Sequence, residues 1–325
     1  MKDPTTRTGR TAHSNGGHQA RILLLGSTGF VGRRIATSLM GTDGVQLTVL
    51  SRNPPGLPPI PHATILPGDL RDPQSLSAAL RGIDRVIHAA SYIGSDPRLA
   101  EEVNRQGTRN LLDECRRQGI TKVTYLSTTS VYGSGPHRGL SERQATYGAR
   151  SAASATRAEA DRMVLEAGGV TVRPNLVFGE GDRWFIPGLA KMMRAGTWPG
   201  DGSALLSLID VETLGAMVAW LALSGGHPGT AFHAVGSEPV SVARLLAATA
   251  AGLGIPVPHF TRGAGARDTL LRAGFTGHQV DLVTVDHWYS GHVFRGIPGP
   301  GFSEDALPVE GQWEWYRNFL RGSGR

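Results

Sequence analysis

The sequence predicts a parallel, doubly wound α/β sheet, and three observations carry that prediction. Short apolar runs fit for buried strands alternate with segments of helical period from Ile22 to about residue 180. The turn from the first strand into the first helix holds three glycines, Gly26, Gly29 and Gly32. The chemically distinctive residues then fall where strands end, and ligands of such sheets gather at the carboxyl ends of the strands. With 325 residues, the chain is long enough for one large domain or two modest ones with a real core.

The first strand is Ile22 to Leu25, four apolar residues suited to burial on both faces. It runs into Gly26-Ser27-Thr28-Gly29-Phe30-Val31-Gly32 and a helix through Ile35, Leu39 and Met40. Gly26 suits the tight turn and Gly29 leaves backbone N–H groups open to a pyrophosphate. Gly32 lets the helix lie close on the strand. Val45 to Leu50 reads as the second strand, ending in Ser51-Arg52-Asn53. A carboxylate about 20 residues after the glycine turn would bond the ribose 2′-OH of NAD. Arg52 stands there instead, and an arginine fork suits a 2′-phosphate, so the expected cofactor is NADPH/NADP+.

Thr64 to Leu66 is a short third strand closing on Gly68-Asp69-Leu70, and Ser75 to Leu80 a helix. Arg85 to Ser91 is a fourth strand whose end, Ala89-Ala90-Ser91, is small enough for a flat cofactor to lie against. A long helix is expected over Glu101 to Gln118 and a fifth strand over Lys122 to Ser127, with Thr128 to Gly133 beyond it. A helix over roughly Arg143 to Ala167 and a strand at Val170 to Val172 lead to Arg173-Pro174-Asn175-Leu176-Val177-Phe178-Gly179. Past this point come a short helix at Trp184 to Arg194, a strand at Ala204 to Asp210 and a helix at Thr213 to Leu223. A strand at Ala231 to Val235 and a helix at Val240 to Leu253 follow. Gly252 to Gly311 is rich in Gly and Pro with few periodic segments, and Trp313 to Leu320 is a terminal amphipathic helix. The division that follows is a tail over residues 1–20, a cofactor domain over 21–180 to which 204–235 returns, and a smaller substrate-binding part over 181–203 and 236–325.

Composition narrows the function classes. Hydrophobic residues make up 40% of the chain, and no apolar run reaches the ~18 residues of a membrane span. Met1 to Ala20 is polar and without an apolar core, so it reads as a disordered tail and not a secretory leader. The single cysteine, Cys115, lies in a helical pattern and has no partner for an internal disulfide, which points to the cytoplasm. The net charge of +6 is partly in the tail, and no basic helix interleaved with aromatics marks a nucleic-acid partner. Eleven histidines are scattered, and no metal-ligand spacing is found among them.

On these motifs the chain resembles the extended short-chain dehydrogenase/reductase family, over about residues 21 to 250. The glycine turn, Asp69-Leu70 beside the adenine, His88-Ala89-Ala90, Val103-Asn104 with Gly107-Thr108, and Arg173 to Gly179 carry the resemblance. It implies a Rossmann-type fold with a smaller C-terminal part. It also implies a cofactor held by Gly26, Thr28, Gly29, Phe30, Val31, Arg52, Asn53, Asp69, Leu70, Ala89, Ala90, Ser91, Leu126, Arg157, Pro174, Asn175 and Val177.

The family's catalytic set is incomplete here. Members hold a Ser or Thr after the fifth strand and Tyr-x-x-x-Lys on the next helix, the tyrosine moving the proton and the lysine holding the ribose and lowering the tyrosine pKa. Counting back from Val131-Tyr132-Gly133 puts Thr128 in the hydroxyl position. Two alignments remain for the helix. Tyr147 supplies a tyrosine, but Ser151 follows four residues later. Alternatively, Thr156 to Val164 matches the run around the lysine, so that Arg157 replaces the lysine and Ala153 the tyrosine. The second keeps the spacing from Thr128; the first keeps the distance to Arg173-Pro174.

The catalytic residues expected are Thr128 and Arg157. Arginine cannot act as an acid at neutral pH, so the proton must come through Thr128 from water, from a residue such as His287, or from a substrate phenol bonded to its own ketone. The substrate is expected against Tyr92, Ser95, Thr128, Trp184, Phe185, Trp198, His287 and Tyr289, because Trp and Tyr combine flat apolar area with a polar tip. The resemblance therefore implies an NADPH-dependent ketoreductase. A fainter resemblance, to ketoreductases tailoring aromatic polyketides such as angucyclinones, implies a small aromatic ketone as its partner. A non-catalytic NADP-binding sensor and a nucleotide-sugar epimerase or dehydratase are the competing readings. The oligomeric state stays open between monomer and homodimer.

Overall fold

The computed structural model describes residues 19–56, 60–297, 299, 301–302 and 306–322. The Ala20–Leu25 run forms β1, its side chains alternating between two buried layers as the pleat requires. Ile22 and Leu24 join one core with Ile35 and Leu39, while Leu23 and Leu25 join another with Leu76 and Leu111. Around β1 are α1 (Phe30–Met40), β2 (Val45–Ser51), β3 (Ala63–Pro67), α2 (Pro73–Ala79) and β4 (Arg85–His88). Next come α3 (Pro97–Ala100), α4 (Gly107–Arg117), β5 (Lys122–Leu126), β6 (His137–Leu140), α5 (Ala152–Glu166), β7 (Val170–Pro174) and β8 (Leu176–Phe178). A second group holds α6 (Phe185–Met193), β9 (Thr197–Pro199), β10 (Leu205–Leu206), β11 (Leu208–Asp210), α7 (Val211–Ser224) and β12 (Ala231–Ala234). The chain ends with β13 (Val240–Ser241), α8 (Val242–Leu253), β14 (His259–Thr261), α9 (Ala264–Arg272), α10 (Gly277–Asp281), β15 (His287–Tyr289), α11 (His292–Arg295) and α12 (Glu310–Gly322).

Seven parallel strands form the main sheet in the order β12-β7-β5-β4-β1-β2-β3. Its order reverses between β1 and β4, which opens a crevice at their carboxyl ends. Helices α1 and α7 cover one face; α2, α4 and α5 cover the other. A further core gathers α6, α8 and α12 around Trp198, Leu246, Trp313 and Tyr316. None of the described helices is long and apolar enough to cross a membrane.

Several expected elements change. The helix expected from Arg143 begins only at Ala152, because Ser151 and Ser154 form a capping box that starts it there. The long helix at Glu101 to Gln118 is α4 preceded by a π-helical turn at Glu101–Gln106. The strand expected at Ala204 to Asp210 is two: β10 lies in a four-stranded sheet with β13, β15 and β6, and β11 pairs with β8. Thus β6, inside the span 21–180, pairs with β15 near the other end of the chain. Gly252 to Gly311 holds more regular structure than its composition suggested, from β14 to α11. Ala20 already pairs with Val45 in β1; residues 1–18 of the expected tail lie outside the described residues.

Candidate functional site

A cleft of about 570 Å³ lies at the switch point between β1 and β4, floored by the glycine turn and walled by Ser51–Asn53, Asp69–Leu70 and Ala89–Tyr92. Its shape depends on missing side chains. Gly26 has φ +87°, and a Cβ there would meet Ala90 N at 2.5 Å. A Cβ on Gly32 would stand 2.0 Å from the Gly26 carbonyl oxygen, so no other residue lets α1 lie this close to β1. Gly29 is the N-cap of α1 and offers no side-chain cap, leaving the first N–H groups of an 11-residue helix open to an anion. The Ser27 hydroxyl in this turn is buried without a partner among the described residues. The residues present therefore fit a dinucleotide.

At the far end of the cleft, Arg52 is exposed and Asn53 N–H donates to Ser51 Oγ at 3.2 Å. Arg71 grips the Asp69 carboxylate, Nη2 to Oδ2 at 2.8 Å and Nε to Oδ1 at 3.2 Å. That hydrogen-bonded fork, with the more distant Arg52 charge, holds the Asp69 carboxyl below its usual range. Phe30 packs against Gly181, Val31 lies on the α1 side core, and Thr28 is exposed at the turn.

A second cluster is built from β5, α5 and β7. The Thr128 hydroxyl is half-buried and accepts the Ser130 N–H at 3.2 Å. Arg157 lies opposite, its Nη2 donating to Ser127 O at 2.8 Å and to Leu126 O at 3.3 Å. Ala153 stands one turn before Arg157 on α5, so these two share a helix face with the spacing of Tyr-x-x-x-Lys. Tyr147 precedes the helix and does not share it with Ser151. Its hydroxyl donates to Asp161 Oδ1 at 2.7 Å and accepts from Arg173 Nη2 at 2.9 Å. Burial and the Asp161 charge push its pKa up, so it is a structural hydroxyl committed to a buried ion pair. Arg173 completes that network through Asp161, with Nε to Oδ2 at 3.0 Å, and through the Tyr132 hydroxyl at 2.8 Å.

Several expected contacts need correction. The Asn175 side chain is fully used within the protein: Nδ2 donates to Ser207 O at 2.9 Å and His287 O at 3.1 Å, and Oδ1 accepts from Thr129 Oγ1 at 2.8 Å. Pro174 is buried in β7, where it pairs with Ala234, and Val177 pairs with Ile209, so backbone is what this segment offers a cofactor. Trp198 is 0% exposed, packed in the core with Met193 and Leu246, and cannot wall a substrate. His287 is buried, accepting the Gly135 N–H at Nε2 (3.1 Å) and facing Val285 O through Nδ1 (3.1 Å). Tyr289 is buried too, its hydroxyl 2.8 Å from His137 Nδ1. These two side chains join β6 to β15 and supply no free acid. Phe185 packs half-buried on the α6 core.

Trp184, by contrast, is 75% exposed on a rigid mount. The buried Asp182 carboxylate accepts the N–H groups of Trp184 (2.8 Å), Phe185 (2.8 Å) and Ile186 (2.9 Å), and the Tyr316 hydroxyl at 3.0 Å. Tyr92 lines the cleft, with its backbone held on both sides by Asn104: N–H to Oδ1 at 2.7 Å, and Nδ2 to its carbonyl at 2.9 Å. Ser95 is exposed beyond it. Sequence reading assigned no site role to Asn104, Tyr125, Asp161 or Arg173. Asn104, Asp161 and Arg173 nonetheless lay in segments that carried the resemblance, Val103-Asn104, Thr156 to Val164 and Arg173 to Gly179; Tyr125 carried no signal. Among the described residues, no three His, Cys, Asp or Glu side chains are grouped to hold a metal.

The family model for the NAD dependent epimerase/dehydratase family matches residues 22–233. The chain is 31% identical over 253 residues to a 2-alkyl-3-oxoalkanoate reductase of Stenotrophomonas maltophilia, covering 73% of this chain and 76% of that one. It is 30% identical over 246 residues to a 3 beta-hydroxysteroid dehydrogenase/Delta 5→4-isomerase of Mycobacterium tuberculosis, covering 68% of this chain and 66% of the other. Among solved structures, a dTDP-glucose 4,6-dehydratase of Streptomyces venezuelae with NAD bound has the same fold, with a TM-score of 0.71 at 22% identity over 93% of this chain and 98% of that one.

Proposed function

Because the chain belongs to the NAD dependent epimerase/dehydratase family, we propose that it is a nicotinamide-dependent oxidoreductase that reduces a ketone with NADPH. The reading rests on one observation above all: a cleft fit for a dinucleotide lies at the carboxyl ends of β1, β2 and β4, and on α5 Ala153 stands one turn before Arg157, where the proton-moving tyrosine would stand. The similar reductase and hydroxysteroid dehydrogenase are named for carbonyl and carbinol chemistry, which supports a ketone as substrate. Arg52 at the end of β2 supports the 2′-phosphate.

The cofactor supplies a hydride to the carbonyl carbon. Arg157 is anchored by two backbone carbonyls, and its guanidinium would hold the ribose diol of a bound cofactor as a permanent donor. Thr128 can hydrogen-bond the developing alkoxide through its hydroxyl, which itself carries no readily lost proton at neutral pH. Ala153 transfers no proton. The proton therefore comes from the substrate: a phenol hydrogen-bonded to the ketone gives its proton to the alkoxide oxygen as the C–H bond forms, and solvent reprotonates the phenolate. A polycyclic aromatic ketone of the polyketide type meets this requirement.

The test is NADPH consumption across a panel of ketones, phenolic polycyclic quinones and nucleotide sugars, with NADH in parallel. Turnover of a phenolic ketone that stops when the phenol is methylated supports the reading. Unchanged turnover of the methyl ether overturns the internal proton, and tight NADPH binding without turnover of anything makes the protein a sensor.

A further inference from the structure

Near its start α1 carries two adjacent arginines, and the structure uses them differently. Arg34 is tied down: its Nη2 donates to Glu180 O at 3.0 Å, and its guanidinium pairs with the carboxylates of Glu212 at 2.9 Å and Glu180 at 3.3 Å. Arg33 is exposed and has no such partner. Its Nε donates to the carbonyl of Thr28 at 3.2 Å, so the side chain hooks back onto the glycine turn that floors the cleft. The hook uses one N–H and leaves the outer fork of the guanidinium free. Nη1 and Nη2 of Arg33 have no hydrogen bond or ion pair among the described residues.

The turn that holds Thr28 lies beside the end of β2. Leu25 and Leu50 are register partners, so the chain leaves β1 into the glycine turn next to the point where it leaves β2 into Ser51–Asn53. Thr28 and Arg52 both line the cleft there. Arg52 is a second guanidinium without an ion pair among the described residues. Asp69, the acid among the lining residues, is already gripped by the Arg71 fork, and α1 has no acidic residue in its first turn. Two guanidinium groups thus flank the paired ends of β1 and β2, with no described carboxylate bound to either. Like charges placed this way repel until an anion joins them.

The chemistry of the anion decides which part of a dinucleotide it is. A pyrophosphate already has donors in the open N–H groups at the start of α1. A 2′-phosphate is a monoester, with about two negative charges at neutral pH and three acceptor oxygens. A single arginine fork engages a pair of those oxygens and neutralises half of the charge. A second arginine completes the match.

We propose that Arg33 is a specificity-determining residue for the cofactor, closing on the 2′-phosphate of NADPH together with Arg52. The Thr28 carbonyl is the pivot: anchored there at Nε, the guanidinium presents Nη1 and Nη2 as a fork. NADH, with a free 2′-OH, brings no charge to meet it. A lysine could not hold the Thr28 carbonyl and present a planar fork at once, so the arrangement belongs to arginine.

The inference rests on NADPH being the cofactor of the proposed function, and the test separates the two. Dissociation constants for NADPH, NADH, 2′,5′-ADP and 5′-AMP are measured by titration for the native protein, Arg33→Ala, Arg33→Lys and Arg52→Ala. The native protein is expected to bind NADPH and 2′,5′-ADP more tightly than NADH and 5′-AMP. Arg33→Ala should weaken the two ligands with a 2′-phosphate about tenfold, as for loss of charge-assisted hydrogen bonds, and leave the other two within about twofold. Arg33→Lys should restore part of the loss, and the difference should shrink as salt screens the charges. Equal weakening of NADPH and NADH by Arg33→Ala, or unchanged NADPH affinity, overturns the role of Arg33; a preference for NADPH that Arg52→Ala removes then leaves the cofactor reading standing. A native protein that binds NADH as tightly as NADPH overturns the cofactor reading itself.

Discussion

Arg157 reaches from α5 to the carboxyl end of β5, where its Nη2 donates to the Ser127 carbonyl at 2.8 Å, and one turn earlier on the same face stands Ala153. A guanidinium fixed on backbone can hold a ribose but cannot give up a proton. Arg157→Ala should weaken NADPH binding at least about tenfold, as expected for loss of hydrogen bonds from a charged donor at about 1.5–3 kcal/mol. Isothermal titration against NADPH checks it, with Arg157→Lys expected to keep part of the affinity.

Ala153→Tyr rebuilds the acid one turn before Arg157. The variant is expected to reduce the phenol-methylated substrate that the native protein leaves untouched, because the new hydroxyl can protonate the alkoxide. Product formation by chromatography, native against variant, decides it.

Tyr147 and the Asp161–Arg173 pair predict stability instead of chemistry. Tyr147→Phe should cost about 1 kcal/mol of stability and leave turnover within about twofold; loss of turnover would make Tyr147 the acid. Asp161→Asn strands the buried Arg173 charge and should cost about 3–5 kcal/mol. Urea unfolding of both variants is the measurement.

Arg52 lines the cleft beside Ser51 and Asn53. Arg52→Asp should reverse cofactor preference, lowering kcat/KM for NADPH by at least about tenfold while that for NADH holds or rises, since a carboxylate bonds a free ribose 2′-OH and repels a 2′-phosphate. Steady-state kinetics with both cofactors test this.

His88 gives a pH dependence. Burial, with a smaller push from Arg157, lowers its pKa to about 3, so it stays neutral in the fold and protonates near 6.5 when unfolded. Below 6.5 the unfolded chain binds the extra proton, so this group leaves stability intact above that pH and erodes it as pH falls toward 3. By pH 4.5 the loss is on the order of 3 kcal/mol. His88→Asn should flatten that part of the profile in urea melts at pH 7 and 4.5.

What the sequence by itself determined was the parallel sheet and its cofactor end. The alternation of apolar strand runs with helical periods, the three glycines and the small Ala89-Ala90 strand end are local signals, each readable within a few residues of chain. The places of Thr128 just after β5 and of Arg157 on α5 were legible for the same reason. Tertiary structure decided which residues face the cleft. Trp198, His287 and Tyr289 have the composition of a binding wall, yet Trp198 fills the α6–α8 core and the other two join β6 to β15, pairings of distant segments that no local pattern encodes. It also decided where α5 begins, through the Ser151–Ser154 cap, and so which residues share a face with Arg157. The Asp161–Arg173 fork arises only where a helix meets a neighbouring strand. Charge and hydrogen-bond complementarity act across space, while a sequence orders residues along a chain.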